Sequence, residues 1–269
     1  MAQQLTTEHG DTIFFEVQGT GPTLVFITGA GSFRANDPTV PPTAALAARR
    51  GITTVVYDRL GLGESTGSPP VTLAKEISVL RAIVEQVGGS AVLCGHSSGS
   101  AIALHAAAAG LPVQGLALWE LPILGTAEHV QSWAATFIAF LEAADHLGAI
   151  EYFTKEMPAD YRAELRASSI WDEMIENAQS LRADVEALAW FHSAPLSSLL
   201  GELRVPVLTM IGETTFDVMN RGADAIAQAL PHAQKRVVPG AQHEWVVAPM
   251  VEELTNFVTE IGTHRNQGG

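Results

Sequence analysis

Apolar positions along the chain alternate between two rhythms. Thr12–Val17 and Thr23–Thr28 are short strand-like runs, parted by the turn residues Gly19-Thr20-Gly21-Pro22. Thr39–Arg50 follows as a helix, and Thr53–Tyr57 is a β-branched run of buried-strand type. Thr72–Val87 places Leu73, Ile77, Leu80 and Val84 on one helical face. Ala91–Cys94 reads as a strand, and Ser98–Ala109 as an Ala-rich helix closed by Gly110 and Pro112. Leu116–Trp119, Val205–Ile211 and Lys235–Val238 are further strands. Helices are predicted over Ala223–Leu230 and Met250–Ile261. This alternation implies an α/β protein with a mostly parallel central sheet and helices on both faces.

One stretch breaks the alternation. Leu121–His192 is helical throughout and holds half of the aromatic residues, among them Trp133, Phe137, Phe153, Trp171 and Trp190. A helical insertion after a strand suggests a cap over a pocket. The plainer reading is that these rings form the insertion's own core. The expected division is a core of residues 1–120 and 193–269 with a helical cap, or lid, of residues 121–192.

Composition narrows the partners. The chain has 269 residues, 47% of them apolar, enough for a full core. Its 15 Lys and Arg against 29 Asp and Glu leave a net charge of −14. Phosphate backbones and anionic membrane surfaces would repel such a chain, so neither nucleic acid nor membrane is an expected partner. The single cysteine, Cys94, excludes an intrachain disulfide framework and a Cys-rich zinc site. Ala101–Leu124 is strongly apolar, but Gly110, Pro112, Gly115 and Glu120 interrupt it, so it reads as a buried helix and strand. The polar start, Met1–Gly10, carries no apolar secretion core, and a cytoplasmic location is expected. The tail His264–Gly269 is expected to fray.

The strongest chemical signal is Gly95-His96-Ser97-Ser98-Gly99, set between a strand and a helix. A sharp turn there lifts the Ser97 hydroxyl above the sheet edge. Small flanking residues are needed where strand and helix backbones approach. The following helix points its N-terminus at the site, which favours developing negative charge.

With this motif the sequence resembles the α/β-hydrolase superfamily over nearly its whole length. The resemblance implies the α/β-hydrolase fold, an oxyanion loop after an early strand, a nucleophile elbow at mid-chain, a cap insertion and a late catalytic histidine. Thr28-Gly29-Ala30-Gly31-Ser32 occupies the oxyanion-loop position, with Thr28 where the family often has His. The implied oxyanion donors are the backbone N–H of Ser98 and one from Gly29 or Ala30, each worth about 3 kcal/mol in a transition state. Tyr57-Asp58-Arg59-Leu60-Gly61-Leu62-Gly63-Glu64-Ser65 resembles the family's turn after the next strand and reads as structural.

Ser97 needs a base. His243, after the last strand, lies where the family's catalytic histidine lies. His96 adjoins Ser97 and would point away from its hydroxyl, so it reads as structural or pocket-lining. The acid departs from the common pattern. The family's usual Asp lies about three residues beyond Gly212, where this chain has Thr215. Glu120, ending the preceding strand inside an apolar stretch, is costly unless paired. Glu120 is therefore the preferred acid and Asp217 the alternative. A Glu at this place, with Thr at the usual Asp position, resembles the lactone hydrolases that act on zearalenone.

Rival signals are weaker. Gly29-Ala30-Gly31 lacks the third glycine of a dinucleotide fingerprint, since Arg34 stands there. His243-Glu244 lacks the second His of a zinc protease motif, and no metal or other cofactor is expected. A dehalogenase or epoxide hydrolase of this fold would need a carboxylate where Ser97 stands. The expectation is a cofactor-free serine hydrolase acting on an ester or lactone of a hydrophobic small molecule. Phe33, Trp119 and Trp245 are candidate pocket residues, with core packing an equal reading for each. A cofactor-free lyase and a ligand receptor on the same scaffold are the alternatives, and a homodimer is compatible with the sequence.

Overall fold

A computed structural model describes residues 3–267, with side chains to residue 263. Nine strands form one sheet in the order β1-β2-β4-β3-β5-β6-β7-β8-β9. They are β1 (Gln3–Thr6), β2 (Thr12–Gln18), β3 (Thr23–Ile27), β4 (Thr53–Tyr57), β5 (Ala91–His96), β6 (Val113–Trp119), β7 (Val207–Thr214), β8 (Ala233–Ala241) and β9 (Glu244–Trp245). From β4 to β8 neighbouring strands run parallel, while β1, β2 and β9 pair antiparallel at the two ends.

The central strands are continuous apolar runs because both faces are covered. Helices α1 (Val40–Ala48) and α11 (Val247–Gln267) cover one face, packing on Phe26, Cys94, Trp119 and Met210. Helices α2 (Leu73–Gln86) and α3 (Ser98–Ala108) cover the other, over Val25, Leu93 and Leu118. Helix α10 (Asp217–Ala229) follows β7. The order reverses at β3, with β4 on one side and β5 on the other, so the loops after β3 and β5 diverge there. Open α/β sheets place their sites at such a switch point.

Between β6 and β7 lie α4 (Ala127–Glu142), α5 (His146–Thr154), α6 (Ala159–Arg166), α7 (Ser169–Glu176), α8 (Leu181–Phe191), a short 3-10 turn and the four-residue α9 (Leu196–Leu199). No strand lies among them. Much of the aromatic content packs internally: the rings of Trp133 and Phe153 are 5.7 Å apart, and those of Phe137 and Phe153 are 5.8 Å apart. The apolar cluster nevertheless runs on from the sheet into α4 and α8 through Val130, Leu181, Val185 and Leu188.

Several boundaries differ from the pattern reading. β1 is polar and mostly exposed, so it lacks the buried alternation that marks a strand. β8 extends well beyond Lys235–Val238 because a strand near the sheet edge, flanked outside only by the two-residue β9, needs little apolar material. α10 starts six residues before Ala223, and α11 runs past Ile261 into the tail expected to fray. The tail's last two residues lie outside the described residues. No helix among the described residues is long and apolar enough to cross a membrane.

Candidate active site

Four chain segments meet above the C-terminal edge of the sheet. The first is the turn from β5 into α3. Ser97 has φ 54° and ψ −123°, a strained conformation that costs about 1–3 kcal/mol and recurs at functional sites. The flanking glycines permit it. A Cβ on Gly95 would sit 2.5 Å from the Ser100 Cα, and one on Gly99 would sit 2.3 Å from the Ile27 carbonyl. The Ser97 N–H donates to the Trp119 carbonyl at 2.8 Å, which ties the turn to the end of β6.

The second segment is the loop after β3. A Cβ built on Gly29 would lie 3.2 Å from the Ser97 Cβ, so this backbone runs directly against the serine. The Thr28 hydroxyl donates to the Ser32 carbonyl at 2.8 Å and closes the loop on itself. Of the expected oxyanion residues, Gly29 thus lies against Ser97, next to Ser98 at the start of α3.

The third segment is Glu120, just past β6. It is buried, with a positive φ of 47°. Its N–H donates to the Met210 carbonyl at 3.0 Å, and its Oε1 accepts the Gly212 N–H at 2.9 Å. Burial opposes ionisation of this carboxyl. The hydrogen bond and charge of His243, the nearby Thr215 hydroxyl and the Gly212 N–H outweigh burial and hold it below the usual carboxylate range. The Thr215 Oγ1 is buried beside this carboxyl without a well-formed hydrogen bond.

The fourth segment carries His243. β8 and β9 form a hairpin with Ala241 opposite Glu244, leaving Gln242 and His243 as its two-residue turn. Both have positive φ, 53° and 71°, as a primed hairpin turn demands. Neither is glycine, and Gln242 in particular rarely adopts this region, so contacts from outside help to hold the turn. The His243 Nδ1 lies 2.6 Å from Glu120 Oε2. The His243 carbonyl meets the Trp119 Nε1–H at 3.2 Å and the His96 Nε2 at 3.1 Å. A carbonyl only accepts, so His96 carries its proton on Nε2. Burial, and then the neighbouring His243, push His96 down to about 4, which keeps it neutral. None of these hydrogen bonds joins the His243 ring to Ser97. Catalytic contacts of that kind often tighten only around a bound substrate.

Asp217 is not part of this cluster. It is exposed at the start of α10 and pairs with Arg221 one turn along. Two of the three pocket candidates follow the core-packing reading. Trp119 is fully buried, and Trp245 is 4% exposed with its Nε1–H donating to Thr43 at 2.8 Å. Both rings point to the α1 and α11 face and pack on each other at 5.5 Å. Phe33 does line a cleft, of about 640 Å³, with Arg34, Asp58, Glu64, Glu173 and Asn177. That cleft is acidic and includes none of Ser97, Glu120 or His243. Among the described residues no group of His, Cys, Asp and Glu is arranged to hold a metal ion.

His96 has the structural role open to it, and its partner, the backbone of His243, had no signal in the sequence. The hairpin turn at Gln242-His243 carried no Asn or Gly to announce it.

A sequence model of the alpha/beta hydrolase family matches residues 24–256, and the chain belongs to that family. An alpha/beta hydrolase from Sphaerobacter thermophilus DSM 20745 is 29% identical, with a TM-score of 0.80 over 95% of this chain and 99% of that one. An enol-lactonase from Burkholderia xenovorans LB400 superposes with a TM-score of 0.66 at 17% identity, over 97% of this chain and 100% of that one. A thermophilic esterase from Thermogutta terrifontis gives 0.69 at 21% identity, over 97% of each chain. These last two likenesses show the fold. Among curated proteins no sequence matches closely enough to count as a relative.

Proposed function

We propose that this chain is a cofactor-free serine hydrolase that cleaves a carboxylic ester or lactone of a neutral, hydrophobic small molecule. The observation that carries the reading is the 2.6 Å contact between Glu120 and His243 Nδ1, beside a serine held in a strained strand-to-helix turn. The names of two similar structures, an enol-lactonase and an esterase, agree with it.

In this mechanism the carboxylate of Glu120 keeps the proton of His243 on Nδ1, which leaves Nε2 free as a base. Nε2 takes the proton of the Ser97 hydroxyl as its oxygen attacks the substrate carbonyl. The carbonyl oxygen becomes an oxyanion facing the N–H of Ser98 and the N–H groups of the Gly29-Ala30 loop. The imidazolium then protonates the leaving alkoxide, and the acyl group remains on Ser97. A water deprotonated by His243 attacks the acyl carbon and releases the acid.

The helices α4 to α8 act as the cap. Supporting this, they touch the loop after β3, where a Cβ on Gly31 would meet Met174 at 3.1 Å and Asn36 donates to Glu173 at 2.9 Å. Tyr161 of α6 also packs edge-on against Phe216 after β7, at 5.9 Å.

A panel of p-nitrophenyl esters and lactones tests the reading. Multiple turnover by the wild-type chain is expected. Ser97→Ala and His243→Ala should each lower kcat by several orders of magnitude, and the double variant should lose little more. A single burst without turnover would support a receptor. Retention of more than about a tenth of the activity by either single variant would remove the triad.

A further inference from the structure

We propose that the buried ion pair Arg59–Asp184 positions the oxyanion hole, holding both of its donor segments from beneath. The proposal rests on the serine hydrolase reading and adds two residues to it that touch no reacting atom.

Arg59 comes from the turn after β4 and is 1% exposed. Its Nη1 and Nη2 bind the two oxygens of Asp184 at 2.7 and 3.1 Å, a bidentate pair. Its Nε donates to Glu76 at 3.3 Å, and Glu76 also accepts the Tyr57 hydroxyl at 3.1 Å. The same Nη1 reaches the carbonyls of Thr28 at 3.2 Å and Gly29 at 3.5 Å.

Those two carbonyls matter because of what lies across their peptide planes. In a trans peptide the C=O and the N–H point in opposite directions. The Thr28 carbonyl shares its plane with the Gly29 N–H, and the Gly29 carbonyl with the Ala30 N–H. A cation holding both carbonyls therefore aims both N–H groups the other way. The Gly29 carbonyl also accepts the Ser32 N–H at 3.2 Å, so the cation acts most directly on the Thr28–Gly29 peptide and reinforces the next one.

Asp184 performs the matching task on the other donor. It belongs to α8, is fully buried, and its Oδ1 accepts the Ser98 hydroxyl at 2.7 Å. Ser98 opens α3 and supplies the remaining backbone donor. One ion pair thus references both halves of the hole to the same point, and one of its members comes from the helices between β6 and β7. Removal of Arg59 would leave Glu76 and Asp184 as buried carboxylates without a counter-charge, so its loss endangers folding. Ser98→Ala and Asp184→Asn are gentler, since each keeps the shape of the site.

The test measures kcat and KM for a p-nitrophenyl ester, per folded molecule, together with the inhibition constant of an alkyl trifluoromethyl ketone. The ketone's adduct with the serine carries the oxyanion itself. Asp184→Asn should lower kcat by about 10²-fold and Ser98→Ala by about ten-fold, with KM nearly constant. Ketone affinity should fall in parallel with kcat. A purely structural role would lower the thermal midpoint and leave both quantities unchanged per folded molecule. If Ser97→Ala is inactive while Ser98→Ala and Asp184→Asn keep full kcat and ketone affinity, the positioning role alone is wrong. If Ser97→Ala hydrolyses the ester as fast as wild type, the hydrolase reading fails and this proposal falls with it.

Discussion

The neighbouring strands β6 and β7 end side by side, and their ends have opposite character. β6 runs into Glu120, which is buried, has a positive φ, and is joined to His243 at 2.6 Å. β7 runs into Thr214 and Thr215, and the first Asp beyond it is exposed and paired with Arg221. Each strand end has a carboxylate in or shortly after it, Glu120 beyond β6 and Asp217 beyond β7. What separates them is preparation. The Glu120 carboxylate has the Gly212 N–H on one oxygen and the His243 ring on the other, whereas Asp217 meets water and an exposed guanidinium. Electrostatic function at a sheet edge depends on which carboxylate is desolvated and paired, more than on which strand is nearest.

The comparison can be broken most severely at Glu120. Glu120→Gln should leave the fold intact and lower kcat by up to about 10⁴, because the amide favours the wrong tautomer of His243. Moving the charge to the other strand sharpens the contrast. Adding Thr215→Asp to Glu120→Gln should return activity by on the order of ten-fold, since the new carboxylate lies beside the vacated position. No recovery would show that the end of β7 cannot reach His243. Acid should act through the same cluster. His96, held down at about 4, takes up its proton later than an unfolded histidine near ~6.5. Its stabilising contribution is complete above the unfolded value and is lost as pH falls toward 4. Glu120, also depressed, loses its contribution in the same direction at lower pH. His96→Gln should flatten the upper part of that loss in thermal melts across pH, with a rate decrease of about ten-fold or less. The smallest effect belongs to Asp217→Asn, expected to leave kcat within about two-fold and stability within about 0.5 kcal/mol.

The sheet was legible because a strand covered on both faces must be a continuous apolar run, as Leu24–Ile27 and Ala91–Cys94 are. The edges were not. Gln3–Thr6 pairs with β2 and tucks only Leu5 against the core, too little to record that pairing in the pattern. At the site, Ser97 could be read because its turn restricts both flanking positions to glycine. Glu120 could be read because a lone carboxylate in an apolar stretch must have a partner. Arg59 could not be assigned a task. Its partner Asp184 lies 125 residues further along, in a helix whose docking on α3 no local pattern encodes. Trp119 and Trp245 looked like pocket residues from their neighbours in sequence, yet alternation across the sheet turns them to the opposite face.

Nitrogen-15 NMR of the neutral His243 ring tests whether Glu120 governs this imidazole. A proton on Nδ1 is expected in the wild-type chain and in Asp217→Asn. In Glu120→Gln the proton should redistribute to Nε2. An Nδ1 proton that persists in Glu120→Gln and is lost in Asp217→Asn would contradict it and place the acid at the end of β7.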